Sequence, residues 1–170
     1  IAGIMIIVMN SLIPSLGIGV GVVLVGMGAG LLIGGAAGVG NGLMITRGRI
    51  EAFIVTLGTM GIFRSLVTFL ADGGTLSLNF QVADVYRPVY YDGLFGVPWP
   101  IIVFALVAIG GEIVMRRTAF GRYCAAIGSN EQVARYSSIN VDNVRLFTYI
   151  LQGVLVAVAV LLYVPRLGSA

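Results

Sequence analysis

The first charged residue in this chain of 170 is Arg47, so the sequence opens with an uncharged apolar run of 46 residues. One membrane crossing uses roughly 20 residues, and this run is about twice that, so the chain must turn inside it. The stretch NSLIPSLG, Asn10 to Gly17, gathers Asn, Ser, Pro and Gly and is the expected place for that turn. Residues 1–13 then read as part of a preceding span. The rest of the composition agrees. Hydrophobic residues make up 58% and charged residues 10%, against about a quarter charged in soluble domains, and the mean hydropathy is +1.03. No basic residue precedes the apolar run and no polar domain follows it, which argues against a cleavable signal peptide. The expected fold class is all-α, a polytopic transmembrane helix bundle.

Four further apolar segments give about four full spans besides the partial first one: Ile18 to Ile45, Ala52 to Ala71, Pro100 to Met115 and Val144 to Val164. Between them lie TRGRIE, an outer loop over 72–99, and a polar loop over 116–143. All ten basic residues are Arg. Seven of them, Arg47, Arg49, Arg116, Arg117, Arg122, Arg135 and Arg145, fall on two loops that an alternating topology puts on one side, which the positive-inside rule makes the cytoplasm. Asp72, Asp84 and Asp92 fall on the opposite loop with only Arg87. The net charge of +3 is thereby a topology signal, and nothing else supports nucleic-acid binding.

The first full span is rich in glycine, with Gly26, Gly30, Gly34, Gly38 and Gly42 at every fourth position. Such a stripe lets another backbone approach closely and supports helix packing in lipid. It also suits a face that slides as a pathway opens, and the pattern alone separates these readings no further. Arg64 lies about 18 Å into its span. It either snorkels or pairs structurally, or it faces a pathway, with Thr68 as a companion. Thr56, Thr59, Thr148 and Gln152 are weaker candidates, because a hydroxyl can bond its own helix backbone. Glu112 and Arg116 are spaced for a local helix pair worth about 0.2–0.5 kcal/mol.

Enzyme chemistry has little to work with. The chain has no His and one Cys, Cys124, so the common general base, a disulfide and a Cys zinc site are all missing, and no metal site is expected. Without Lys it holds no phosphate-binding GxxxxGK[ST] loop. Energy for any work must come from a partner or a gradient. The outer loop carries Phe80, Tyr86, Tyr90, Tyr91, Phe95 and Trp99, which fit an interfacial aromatic belt or a docking surface. Pro100 suits the first turn of the helix that follows.

The polar stretch FGRYCAAIGSNEQVARYSSINVDNVR, Phe120 to Arg145, is the remaining puzzle. Ser129 and Gln132 have capping-box spacing, which predicts a short helix over about Asn130 to Ser137. Asn140 or Asp142 can cap the span after it. A short polar helix between two membrane helices fits partner docking through Arg122, Glu131, Arg135, Tyr123, Tyr136 and Ile139, and equally a structural connector.

GRYCAAIGSNEQVARYSSINVDNVRLFTYILQG resembles the cytoplasmic loop and following helix of permease subunits of bacterial ribose, xylose and galactose-type ABC importers. GLMITRGRIEAFIVTLGTMGIFRSL and RLGSA are similar to further segments of that family, and the likeness covers most of the chain from about Gly34. The resemblance implies a permease component of an ATP-driven monosaccharide importer in the bacterial inner membrane, coupled to a separate ATPase. Gly121, Arg122, Gly128, Asn130, Glu131, Ala134, Arg135 and Ile139 match the motif and become the expected coupling residues. Implied partners are the ATP-binding ABC ATPase subunit, a second permease copy, an extracytoplasmic sugar-binding protein, the sugar and membrane lipid. The chain itself is expected to bind no cofactor, since ATP sits on the partner. Related permeases for branched-chain amino acids or nucleosides, or a non-transporting scaffold or channel subunit, are the alternatives. Three features depart from the family: Ser138 stands where Gly is usual, Glu51-Ala52 replaces a Pro-rich approach, and such permeases are nearly twice this length, so the expected permease domain over 1–170 is incomplete.

Overall fold

The computed structural model describes residues 1–16, 19–73, 76–94 and 96–167. Its helices are α1 (Ala2–Leu16), α2 (Val20–Thr46), α3 (Ala52–Leu70), α4 (Phe80–Tyr86), α5 (Pro88–Tyr91), α6 (Trp99–Arg117), α7 (Ala119–Ser129), α8 (Glu131–Tyr136) and α9 (Val141–Leu167), with a two-residue hairpin of β1 (Gly93–Leu94) and β2 (Val97–Pro98) before α6. Four helices, α2, α3, α6 and α9, are long and apolar enough to cross a membrane. The all-α polytopic architecture is therefore present, with span ends within a few residues of those read from the sequence. The expected first residue of the second span, Ile18, and residues 168–170 of RLGSA lie outside the described residues, as does Phe95.

The turn expected within Asn10 to Gly17 does not occur over residues 10–16. The helix α1 continues through Pro14 to Leu16, and Gly17 lies outside the described residues. The polar residues there have another use. Asn10 donates through Nδ2 to the Ser77 carbonyl at 3.0 Å and accepts from the Asn79 N–H at 3.3 Å, while Ser11 Oγ donates to the Val8 carbonyl at 2.9 Å. Asn10 thus ties the first helix to the outer loop.

Packing is concentrated on α1, α2 and α9. Gly26, Gly30, Gly34, Gly38 and Gly42 are all buried on α2. A Cβ added at Gly26 would strike the Met9 side chain of α1. Against α9, a Cβ at Gly34 would lie 2.6 Å from both Ala157 Cβ and the Gly153 carbonyl oxygen, one at Gly42 2.7 Å from Leu146 Cδ1, and one at Gly38 would strike the Tyr149 carbonyl oxygen. The α9 partners fall in number as the α2 positions rise, so the two helices run antiparallel, backbone against backbone. Close approach of this kind replaces the hydrophobic drive that lipid removes. By contrast, Val55 is the one buried residue of α3, and no residue of α6 is buried.

The outer segment is more ordered and more buried than a surface loop. Leu78, Val82 and Tyr86 join Met5, Ile6, Met9, Val22, Val23, Leu161 and Val164 in the core. Tyr86 is fully buried, which separates it from the interfacial belt in which the sequence grouped it. Its hydroxyl donates to the Leu161 carbonyl at 2.5 Å. The reason lies four residues on: Pro165 is inside α9 and has no N–H to give that carbonyl, so Tyr86 supplies the missing donor. Burial also pushes the Tyr86 phenol up from its ordinary value. Arg166, in the next turn, lies over the Tyr90 ring. Pro100 falls in the first turn of α6, the position where its fixed φ suits a helix start.

Candidate functional site

The polar stretch folds into two helices and a turn. After α6 the chain reverses at Thr118, whose backbone is extended and whose Oγ1 donates to the Val114 carbonyl at 2.7 Å. The reversal is tight enough that a Cβ on Gly121 would strike the Met115 carbonyl oxygen, which fixes glycine there. The helix α7 then lies along the start of α9, with Phe120 and Phe147 edge to face at 5.2 Å. This helix is absent from the sequence reading, which gave the region one short helix.

That short helix is α8, and its cap differs from the expected one. Ser129 Oγ donates back to the Ala125 carbonyl at 3.0 Å and so closes α7. Asn130 is the N-cap of α8, its extended backbone aiming Oδ1 at the N–H groups of Gln132 (3.0 Å) and Val133 (3.2 Å). The far end closes as a Schellman turn. The Ser138 N–H reaches the Arg135 carbonyl and the Ile139 N–H reaches the Ala134 carbonyl, each at 3.2 Å, with Ser138 left-handed at φ 61°. Asn140, rather than Asp142, then caps α9 by accepting from the Asn143 N–H at 3.1 Å.

The ions of this region face one another. Glu131 accepts from Arg135 (Nε 3.3 Å, Nη2 3.0 Å) and from Arg145 of α9 (Nη1 3.3 Å, Nη2 2.6 Å), and Arg135 Nη2 also reaches Asp142 Oδ1 at 3.1 Å. The hydrogen bonds from Arg135 and then Arg145 hold the Glu131 carboxyl below the usual carboxylate range. The Arg135 guanidinium is held above its ordinary value by Glu131 and then Asp142. A carboxylate with a lowered pKa contributes to stability above its unfolded value, so this clamp is lost as pH falls through the lowered one. Two of the expected coupling residues, Glu131 and Arg135, are therefore engaged within the chain, and Arg145 and Asp142 are partners that the motif did not indicate.

The others are distributed around that clamp. Ala134 is the buried residue of α8 and Ile139 is half-buried after it, while Arg122 and Gly128 are exposed on α7. Arg122 forms no ion pair among the described residues. The outward side of α8 exposes two apolar residues, Tyr136 at 87% and Val133 at 57%, beside the exposed Gln132, with Tyr123 of α7 at 43%. A cleft of about 640 Å³ lined by Arg49, Glu51, Arg135, Asp142 and Arg145 joins this assembly to the α2–α3 loop. Both Arg-bearing loops thus meet at one end of the bundle.

Arg64 and Thr68 lie on the exposed side of α3, where Thr68 Oγ1 donates to the Arg64 carbonyl at 3.0 Å. Thr56, Thr59 and Thr148 likewise bond their own helix backbones. Glu112 and Arg116 form their helix pair.

Four helices able to cross a membrane, with a short capped helix at their arginine-rich end, define a polytopic membrane protein. The whole chain, residues 1–170, matches the family described as the permease component of branched-chain amino acid transport systems, and it belongs to that family. It is similar to the ribose import permease protein RbsC of Escherichia coli K12, 33% identical over 148 residues that cover 86% of this chain and 46% of the relative. It is also similar to RbsC of Bacillus subtilis, 37% identical over 76% of this chain and 40% of the relative. A third relative is the D-allose transport system permease protein AlsC of E. coli K12, 32% identical over 89% of this chain and 46% of the relative. The chain is thus about half the length of these relatives, and the matched stretches cover less than half of each. No solved structure matches it.

Proposed function

We propose that this chain is the membrane-spanning part of an ATP-driven importer of monosaccharides, with α8 as the element that engages a separate ATPase. The observation that carries the reading is the mounting of α8. It is capped at both ends and clamped by Glu131, Arg135, Arg145 and Asp142 to α9, while Val133 and Tyr136 face outward. A push on that face would be delivered to α9, and through the glycine contact to α2, without being absorbed by a flexible linker.

Roles follow from this geometry. Val133, Tyr136 and Tyr123 form the apolar contact, and Arg122, which pairs with no acid among the described residues, offers a cation for steering an acidic partner. Glu131 and Arg135 hold the lever, and Gly121, Asn130, Ala134 and Ile139 shape the turns on either side. The chain itself performs no covalent step. ATP would be hydrolysed on the partner, and a second permease copy and an extracytoplasmic sugar-delivering protein would complete the assembly. The relatives named for ribose and D-allose support a sugar as cargo.

The test is copurification of the full-length permease with its ATPase, together with uptake of labelled ribose, D-allose and leucine in vesicles. Tyr136→Asp and Arg122→Ala are expected to reduce ATPase retention, and uptake is expected for a sugar and not for leucine. Full retention and unchanged uptake in both variants would sink the docking assignment. Uptake of leucine alone would replace the sugar with the amino acid that the family description names.

A further inference from the structure

A half-open cavity of about 340 Å³ lies between Tyr123 of α7 and the turn that leads from α8 into α9. Ile139 and Val144, both half-buried, give it an apolar part, and Ser137, Ser138, Asn140 and Asn143 give it hydroxyls and amides. Some of these groups are already in use. The Ser137 hydroxyl donates to the Val133 carbonyl at 3.0 Å, and Asn140 Oδ1 accepts from the Asn143 N–H at 3.1 Å. The Ser138 and Tyr123 hydroxyls, the Asn140 Nδ2 group and the Asn143 side-chain amide have no partner among the described residues. Ser138 is the informative one. Its backbone is left-handed at φ 61°, a conformation that glycine adopts freely and a residue with a Cβ does not. Strain is kept here at an exposed turn, by a side chain that lines a cavity and bonds nothing in its own chain, which points to a use outside the chain.

Resting on the reading of α8 as the element that engages an ATPase, we infer that this cavity receives an acidic side chain of that ATPase, a Glu or Asp, on the Ser138 hydroxyl and the side-chain N–H groups of Asn140 and Asn143. Charge decides the occupant. Five charged residues lie between Thr118 and Leu146, and four of them, Glu131, Arg135, Asp142 and Arg145, are joined in the clamp. The fifth is Arg122, next to Tyr123, and it pairs with no acid among the described residues, so this surface keeps one positive charge. Asp142 adjoins Asn143 in sequence, but its carboxylate is drawn to Arg135 at 3.1 Å and does not line the cavity. Asn140, Asn143 and Val144 belong to the start of α9, and the positive end of that 27-residue helix favours an anion there. A basic side chain would meet Arg122 and the same helix end with the wrong sign. The volume suits one side chain and several waters at ~30 Å³ each, and not a helix of about 10–12 Å diameter.

The experiment titrates the ATPase onto the full-length permease in nanodiscs and measures the thermal midpoint of each permease variant alone. Ser138→Gly removes strain and hydroxyl together. Its midpoint is expected to rise while the Kd for the ATPase weakens about tenfold, the scale of one hydrogen bond to a charged group. A merely structural turn would not move the two readings in opposite directions. Ser138→Asn and Ser138→Asp, which place residues tolerant of the left-handed region, then test the charge. The Asn variant keeps a donor and is expected to hold Kd within about threefold, whereas the Asp variant, of similar size, is expected to bind at least about tenfold more weakly than the Asn variant. A Gly variant that binds as tightly as the wild type, or an Asp variant that binds as tightly as the Asn variant, overturns the acidic occupant and leaves the α8 reading intact. The control on that reading is Tyr136→Asp, which should lose the ATPase whatever occupies the cavity. A wild type that binds no ATPase, or a Tyr136→Asp variant that binds it fully, overturns the α8 reading and this assignment together.

Discussion

At the scale of single residues, Ser138 carries strain and Tyr86 relieves an unmet hydrogen bond. Ser138 holds a left-handed backbone at φ 61° to close the Schellman turn of α8, a conformation that costs a residue with a Cβ about 1–2 kcal/mol. Ser138→Gly is expected to raise the thermal midpoint of the full-length permease in detergent by an amount matching about 1 kcal/mol, and a lower midpoint would count against the turn geometry. Tyr86 works in the opposite sense, since its hydroxyl bonds the Leu161 carbonyl that Pro165 leaves without a donor. Tyr86→Phe should cost about 1–3 kcal/mol. In a Pro165→Ala background, where the helix regains its own N–H, the same change should cost clearly less. Equal costs in the two backgrounds, measured as a double-mutant cycle, would show that the hydroxyl and the proline are independent. Little of this was legible beforehand. The i,i+4 spacing of Glu131 and Arg135 was readable, but Arg145 comes within 2.6 Å of Glu131 only because two caps and a left-handed residue fold the intervening turn. Tyr86 looks like any interfacial tyrosine until its burial is known.

At the scale of elements, the glycine stripe of α2 is selective. Gly38 faces the Tyr149 carbonyl, whereas Gly28, on the same helix, has nothing within 4 Å of an added Cβ. Gly38→Ala is expected to destabilise by about 1–3 kcal/mol through overpacking. Gly28→Ala should be neutral or stabilise by up to about 1 kcal/mol from helix propensity. Thermal unfolding of the two variants separates them, and a matched loss would mean that the whole helix, rather than one face, is crowded. Span existence and type were legible because runs of uncharged apolar residues leave few options. Two elements were not. The Asn10 to Gly17 cluster has the composition of a turn, yet α1 passes through it because Asn10 finds its partners at Ser77 and Asn79 in the outer loop. The α7 helix was missed because no side chain caps its start at Thr118 and its glycines, Gly121 and Gly128, read as breakers.

At the scale of the whole molecule, burial is divided unevenly. The helices α1, α2 and α9 pack closely, while α3 and α6 bury almost nothing among the described residues. The α2–α9 contact also joins two helices far apart in sequence, with 94 residues between Thr46 and Val141, and that has a consequence in time. A ribosome adding about 5–20 residues per second leaves α2 in the bilayer for about 5–20 s before its partner emerges. Through that interval the glycine face lies against something other than α9. A photo-crosslinker beside that face, at Gly35, is expected to capture lipid or insertion factor in nascent chains arrested before Val141 and α9 in chains arrested after Leu167. Capture of α9-distal protein only, at both lengths, would mean that the interval is bridged by another route. The order of synthesis, as much as the final packing, then determines when this bundle first becomes a bundle.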